Sequence, residues 1–305
     1  MKHLFIINPA AGQRVDPTEL ENRIRALKVD WEIVHTQNPG DGIRYARAAA
    51  ETGEPVRIYA CGGDGTLNEV VNGAAGFDNA AVTNVPFGSG NDYLKIFGRE
   101  NKMRFADLEA LTEGPQAAMD LIDCSGRLCI GVACAGVDAR VADDVDRYKR
   151  LPLIKGLGAY ILALAVNVLF KGITRPTVLD MGDFHYEGKT SIVCICNGRY
   201  YGGGFMPVGD NMPDDGVIET LVVPKVSVFT FARLVGAYAK GRYKEYPELI
   251  WPRKDNEISI VSGDDREVVM CVDGEIIRDR AFTVKLSDKT VNFFYPEGLS
   301  YEQRL

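Results

Sequence analysis

Histidine is nearly missing from this chain. His3, His35 and His185 are all it has in 305 residues, and none lies in a recognisable motif. That scarcity argues against Ser-His-Asp, Cys-His and histidine-bound zinc chemistry, and leaves a carboxylate as the natural general base. The seven cysteines include no C-x-x-C pair, so they read as reduced thiols of a cytoplasmic protein rather than a disulfide framework. Cys129, Cys134, Cys194, Cys196 and Cys271 sit in apolar strand-like runs, where a buried thiol is the default. A net charge of −7 without any basic arm argues against nucleic acid as a partner. The opening Met1–Asn8 lacks the apolar length of a signal peptide. The longest apolar stretch, Leu151–Phe170, is broken by Pro152 and Lys155. What remains, Gly156–Phe170, would cover roughly 22 Å as a helix, short of a ~30 Å hydrocarbon core. It reads as a buried or groove-lining helix. Arg147, Lys149, Arg150 and Lys155 beside it would each favour an anionic membrane surface by about 1 kcal/mol.

What the chain does have is one arrangement used three times. An apolar, β-branched run ends in a glycine-containing loop that enters a helical pattern. Leu4–Ile7 leads to Asn8-Pro9-Ala10-Ala11-Gly12, and Val56–Ala60 leads to Cys61-Gly62-Gly63-Asp64-Gly65-Thr66-Leu67-Asn68-Glu69. Ala80–Val85 leads to Pro86-Phe87-Gly88-Ser89-Gly90-Asn91-Asp92. Such turns present unpaired backbone N–H groups to an anion, and the glycines let a phosphate approach the main chain. An aspartate within the loop would repel phosphate unless a divalent cation lay between them, so Asp64 reads as a magnesium-side carboxylate. The plain alternative is turn chemistry, with Thr66-x-x-Glu69 as a capping box at its own helix start. In an open parallel sheet the three loops would line one crevice at the carboxyl ends of the strands.

Residues 1–121 alternate strand and helix as a doubly wound, Rossmann-like α/β domain does. From Ala118 onward the texture becomes a series of strand-like runs with polar turns, implying a mainly antiparallel β-sandwich domain over 122–290. Two helices interrupt it, the apolar one above and one near Val226–Ala239. The cleft between two such domains is the natural place for a substrate.

The motifs together resemble the diacylglycerol kinase catalytic domain superfamily, and its soluble bacterial lipid kinases in particular. The resemblance continues through Gly202-Gly203-Gly204, Asp214-Asp215-Gly216 and Val272-Asp273-Gly274-Glu275, and so runs nearly end to end. It implies ATP- and Mg²⁺-dependent transfer of the γ-phosphoryl group to a lipid hydroxyl at the inner face of the membrane. Asn8, Pro9, Ala10, Ala11, Gly12, Thr36, the Gly62–Glu69 loop, Ser89, Asn91 and Asp92 would then hold nucleotide and magnesium. Asp92 also favours a glycerolipid over a sphingoid substrate. Glu275 would take the proton from the lipid hydroxyl; without the resemblance it reads as an exposed residue after an Asp-Gly hairpin turn. Asp215, with the carbonyls of Met212 and Val217, would hold a second, structural magnesium, unless the segment is only an acidic turn. Asp120 is a further candidate for the magnesium network, and Lys155 for a lysine expected near the second-domain helix. The resemblance also returns Val291–Leu305 to the first domain. A homodimer is compatible with the sequence. The competing functions are an NAD kinase relative, another lipid alcohol kinase, or a nucleotide- or lipid-binding regulator without catalysis.

Overall fold

The computed structural model describes residues 1–11, 17–87, 90–149 and 157–301. Gly12 and Ser89, Arg150, Lys155 and the start of the apolar stretch lie outside the described residues. The chain forms two units: Met1–Leu121 with Met212–Asp215 and Ser287–Leu305, and Ile122–Asn211 with Gly216–Leu286. The return to the first unit thus begins at Ser287, whose N–H donates to Leu121 O.

The first unit contains β1 (Lys2–Ile7), α1 (Pro17–Arg25), β2 (Asp30–His35), α2 (Asp41–Ala50), β3 (Val56–Gly62), α3 (Asp64–Ala74), β4 (Ala80–Pro86), α4 (Leu108–Glu113) and β5 (Gln116–Met119). The second contains β6 (Ile122–Cys124), β7 (Arg127–Cys129), β8 (Val132–Gly136), α5 (Val137–Lys149), α6 (Leu157–Val166), β9 (Arg175–Met181), β10 (Phe184–Cys196), β11 (Glu219–Pro224), α7 (Val228–Tyr238), β12 (Trp251–Lys254), β13 (Glu257–Ser262), β14 (Val268–Val272), β15 (Glu275–Asp279) and β16 (Ala281–Leu286). The chain then returns to the first unit as β17 (Val291–Phe294).

The first sheet has the order β2-β1-β3-β4-β17-β5. Its first five strands run parallel and only β5 is antiparallel. β3 is buried at all its residues, as a central strand covered on both faces must be. The order reverses at β1: β2 lies on one side of it and β3 on the other, which puts a switch point at the carboxyl ends of β1 and β3. The expected helix beginning near Asn91 is instead a pair of 3₁₀ segments, Tyr93–Phe97 and Arg99–Ala106, divided by Gly98 at φ +101°.

Among the described residues the second unit is built on one continuous antiparallel sheet of eleven strands, curled around a shared apolar core. Ile122, Leu179, Val193, Ile258, Met270 and Val284 are among the residues that fill it. On the opposite face of β8, β10 and β11, helices α5 and α7 and part of α6 pack in a second cluster. Val137, Val141 and Val145 of α5 face that cluster at helical spacing. The apolar stretch forms α6, followed by a π-helical turn over Asn167–Lys171. No described helix is long and apolar enough to cross a membrane.

Candidate active site

The carboxyl ends of β1, β3 and β4 carry the three glycine loops, and side chains tie them together. Asn8 follows β1; its N–H donates to Cys61 O at 3.0 Å and its Nδ2 to Thr66 Oγ1 at 3.1 Å. Its Oδ1 accepts the Ala10 N–H at 3.0 Å, which folds Pro9, Ala10 and Ala11 back over the strand end. Thr36 continues the same edge from β2, its N–H donating to Ile7 O at 2.9 Å. Glycine is needed at position 62, because an added Cβ would lie 2.2 Å from Thr66 Oγ1.

Asp64 opens α3 and holds the third loop. Its Oδ2 accepts the Asn91 N–H at 2.9 Å, and its Oδ1 the Asp92 N–H at 2.5 Å. A Cβ at Gly90 would sit 2.4 Å from Asp64 Oδ2, so the loop can press against the carboxylate only without one. Asn91 takes a left-handed φ of +50° and is fully buried. Its Nδ2 donates to Gly62 O at 2.8 Å and to Asn84 Oδ1 at 2.7 Å. Asn84, in the middle of β4, donates onward to Ala60 O at 2.8 Å. Asp92 forms an ion pair with Lys95, and Lys102 Nζ donates to Gly90 O at 3.0 Å.

Glu69 does something the local sequence does not announce. Its carboxylate accepts the N–H groups of Gly40 at 2.8 Å and Gly42 at 2.9 Å, so it caps the start of α2 rather than of α3. Thr66 lies inside α3, whose N-cap is Gly63, so the capping-box reading fails. Gly42 is small for this reason, since its Cβ would meet Glu69 Oε2 at 2.7 Å. Leu67 and Asn68 are buried on the inner side of α3.

The first unit therefore gathers Asn8, Thr66, Gly62, Asp64, Asn91 and Asp92 into one hydrogen-bonded edge. Asn84, Lys95, Lys102, Gly40 and Gly42 belong to it as well. Sequence reasoning missed them, although an asparagine inside an otherwise apolar strand is a usable signal. This edge fits a nucleotide phosphate chemically. The N-cap of α3 is Gly63, which has no side chain to cap it, and the helix is long enough to present its N-terminal amides and dipole to an anion. It also fits one magnesium ligand, because a carboxylate oxygen has room for a metal ion beside an amide N–H. Among the described residues no three His, Cys, Asp or Glu side chains gather as a metal cage. An ion held by one carboxylate plus phosphate and water is the ordinary magnesium arrangement.

In the second unit, Asp273 and Gly274 form the turn of the β14–β15 hairpin, with φ of +48° and +95°. Asp273 accepts the N–H groups of Ile130 at 2.9 Å, Gly131 at 2.9 Å and Val132 at 3.1 Å. Glu275 stands exposed at the first position of β15. The hairpin is real, and it gives Glu275 a rigid base. The segment around Asp215 divides: Met212 and Asp215 belong to the first unit and Val217 to the second. Asp215 is exposed on a turn whose Pro213 O accepts the Asp120 N–H at 2.7 Å.

All seven cysteines are free and buried. Asp138, at the start of α5, accepts the Tyr201 hydroxyl at 3.0 Å, and burial raises its carboxyl to about 6.

Residues 2–124 match the model of the diacylglycerol kinase catalytic domain, and residues 131–294 that of the YegS C-terminal NAD kinase beta sandwich-like domain. A protein named probable lipid kinase YegS-like from Stenotrophomonas maltophilia (strain K279a) is 28% identical over 94% of both chains. A diacylglycerol kinase of Staphylococcus aureus (strain JH9) is 28% identical over 89% of this chain and 85% of its own. A crystal structure of a diacylglycerol kinase from Bacillus anthracis str. Sterne shares the fold, with a TM-score of 0.71 over 98% of both chains at 21% identity.

Proposed function

We propose, from the premise that this chain belongs to the family joining a diacylglycerol kinase catalytic domain to a YegS C-terminal domain, that it phosphorylates a lipid hydroxyl. The substrate we assign is diacylglycerol, the product phosphatidic acid. The observation that carries the reading is the glycine-capped start of α3 at the sheet's switch point, with Asp64 fixed beside it by the amides of Asn91 and Asp92.

ATP supplies the phosphoryl group, and magnesium bound to its phosphates supplies the positive charge that a phosphoryl-transfer transition state requires. The protein's part is positioning. The backbone of residues 8–11 and the amides at the start of α3 orient the phosphates. Asp64 would face the metal while holding the 91–92 loop in register. Glu69 fixes α2 through Gly40 and Gly42, and so shapes the loop that follows Thr36. Glu275 accepts the proton that leaves the lipid hydroxyl, in keeping with a carboxylate base in a chain short of histidine. Asp215 with Met212 and Val217 is the proposed structural magnesium site.

Contact with the inner face of the membrane is part of the same proposal. Leu169 and Phe170, at the π-helical turn after α6, are 69% and 82% exposed. Phe229, in the first turn of α7, is 74% exposed. Large apolar side chains held in water favour an apolar interface.

The test is an incubation of the purified protein with γ-labelled ATP, Mg²⁺ and mixed micelles carrying a panel of lipid alcohols, with NAD in parallel. Label in phosphatidic acid, lost in Asp64→Ala, supports the assignment. Label in another lipid changes the substrate; label in NADP alone favours the NAD kinase reading, which the Gly62-Gly63-Asp64-Gly65 loop and the Asn68-Glu69 pair would also suit.

A further inference from the structure

At one end of the curled sheet of the second unit lies a cavity of about 40 Å³ that the kinase reading leaves unused. Its lining includes the apolar Ala135, Val193 and Ile260. Its walls carry three arginines, Arg140 from α5, Arg175 from β9 and Arg266 from the β13–β14 loop. A water needs roughly 10–15 Å³ of such space, so the cavity suits about three waters or one small oxyanion.

The arginines are not equally engaged. Arg266 is paired with Asp264, which neutralises it. Arg140 and Arg175 have no carboxylate partner among the described residues. Arg140 donates from Nε to Gly136 O at 3.1 Å and from Nη1 to Gly172 O at 3.0 Å. Its Nη2 is buried without any acceptor among the described residues. Arg175 spends Nη1 on the carbonyls of Lys171, Gly172 and Thr174. The acidic groups nearest Arg140 are occupied elsewhere: Asp144 by Lys171 and Asn167, and Asp138 by Tyr201 and the Ala139 N–H. Glu267 also lines the cavity and is exposed. Burial first, and then the neighbouring cations, lower the affinity of both Arg140 and Arg175 for their protons, against the opposing pull of Asp138 and Asp144 on Arg140 and of Asp264 on Arg175. Buried guanidinium N–H groups in native proteins have acceptors, and the planar fork of arginine matches phosphate oxygens two at a time.

We infer that Arg140, Arg175 and Arg266 form a binding site for a dianionic phosphate group, separate from the loops of the first unit. Two guanidiniums without a salt-bridge partner among the described residues, beside a third, match a phosphate monoester better than a singly charged phosphodiester. The group can arrive as soluble phosphate or on the headgroup of a lipid phosphomonoester.

The full-length protein is titrated with inorganic phosphate, followed by ³¹P line broadening, and separately sedimented with phosphatidylcholine vesicles. The vesicles carry either phosphatidic acid or phosphatidylglycerol at matched surface charge. The variants are Arg175→Gln and Arg140→Lys, the second keeping the charge while losing the fork. Each removes at least one charge-assisted contact, which predicts an affinity loss of about tenfold or more. Phosphate binding that falls in both variants supports the site with a soluble ligand. Binding confined to phosphatidic acid vesicles, and falling in Arg175→Gln, supports it with a lipid ligand. Equal binding to both anionic vesicles, or binding unchanged in Arg175→Gln, overturns it, as does no binding of either probe. Because the readout is binding in the absence of ATP, failure here leaves the kinase assignment untouched.

Discussion

Asp64 and Asp273 stand in different units, each next to a glycine, and each collects backbone amides from a distant stretch of chain. Asp64 takes the N–H groups of Asn91 and Asp92, and Asp273 those of Ile130, Gly131 and Val132. The settings differ. Asp64 begins a helix at the end of a parallel strand, where the chain must leave the sheet and its amides are left over. Asp273 sits in a hairpin turn between antiparallel strands, where the ladder already satisfies most of the backbone. At the first turn the anchoring aspartate is also the candidate metal ligand. At the second, anchoring falls to Asp273 and the proposed chemistry to Glu275, two residues on. An acidic residue in a glycine turn is thus first a builder, and its chemistry depends on what else the turn leaves exposed.

That contrast is sharpest in mutants. Glu275→Gln is expected to lower turnover roughly 10²–10⁴-fold while ATP affinity stays put. Its exposure predicts an unchanged melting temperature, and steady-state kinetics with a thermal melt reads both. Asp273→Ala should behave the opposite way, costing about 3 kcal/mol of stability by stranding three amides, seen as a lower urea midpoint. If Asp273→Ala melts like the wild type, the builder reading of that turn fails.

A third test sets the units against each other in acid. Burial, aided by the Arg57 charge, holds His3 down at about 4 from 6.5. The unfolded chain therefore takes the proton first, and the first unit loses stability as pH falls from 6.5 towards 4. Burial lifts Asp138 from 3.8 to about 6, so there the folded chain keeps the proton longer. The second unit loses stability as pH rises from 3.8 through 6. Each slope amounts to up to about 3 kcal/mol. Hydrogen exchange across that range should show β1 and α5 changing protection in opposite directions, with His3→Asn flattening the first trend and Asp138→Asn the second. The smallest effect is Gly42→Ala. Crowding Glu69 should destabilise α2 by about 1 kcal/mol, read as faster amide exchange at its first turn.

The parallel strands were legible because burial on both faces writes them as continuous apolar runs, and the loops after them because glycine and asparagine have few other uses there. β5 and β12 were not, being four residues each, with Pro252 inside the latter. Helix α5 was missed although Val137, Val141 and Val145 mark one face; its many charges obscured the stripe. Burial of Cys129, Cys134, Cys194, Cys196 and Cys271 was expected from their strand settings, and Cys61 and Cys124 are buried as well. Glu69 could not be understood locally, since its partners lie nearly thirty residues earlier. Asn84 was hidden for the same reason: what makes it useful is Asn91, brought beside it by a left-handed turn.

β17 lies between β4 and β5, and its Phe293 and Phe294 are fully buried in the first unit. A nascent chain would expose the edge of β4 for the whole time the ribosome is making the second unit, because the strand that covers it follows that unit in the chain. An uncovered apolar strand edge invites pairing with other chains. A chaperone that shields that edge during synthesis should therefore raise the yield of the whole protein far more than that of the second unit.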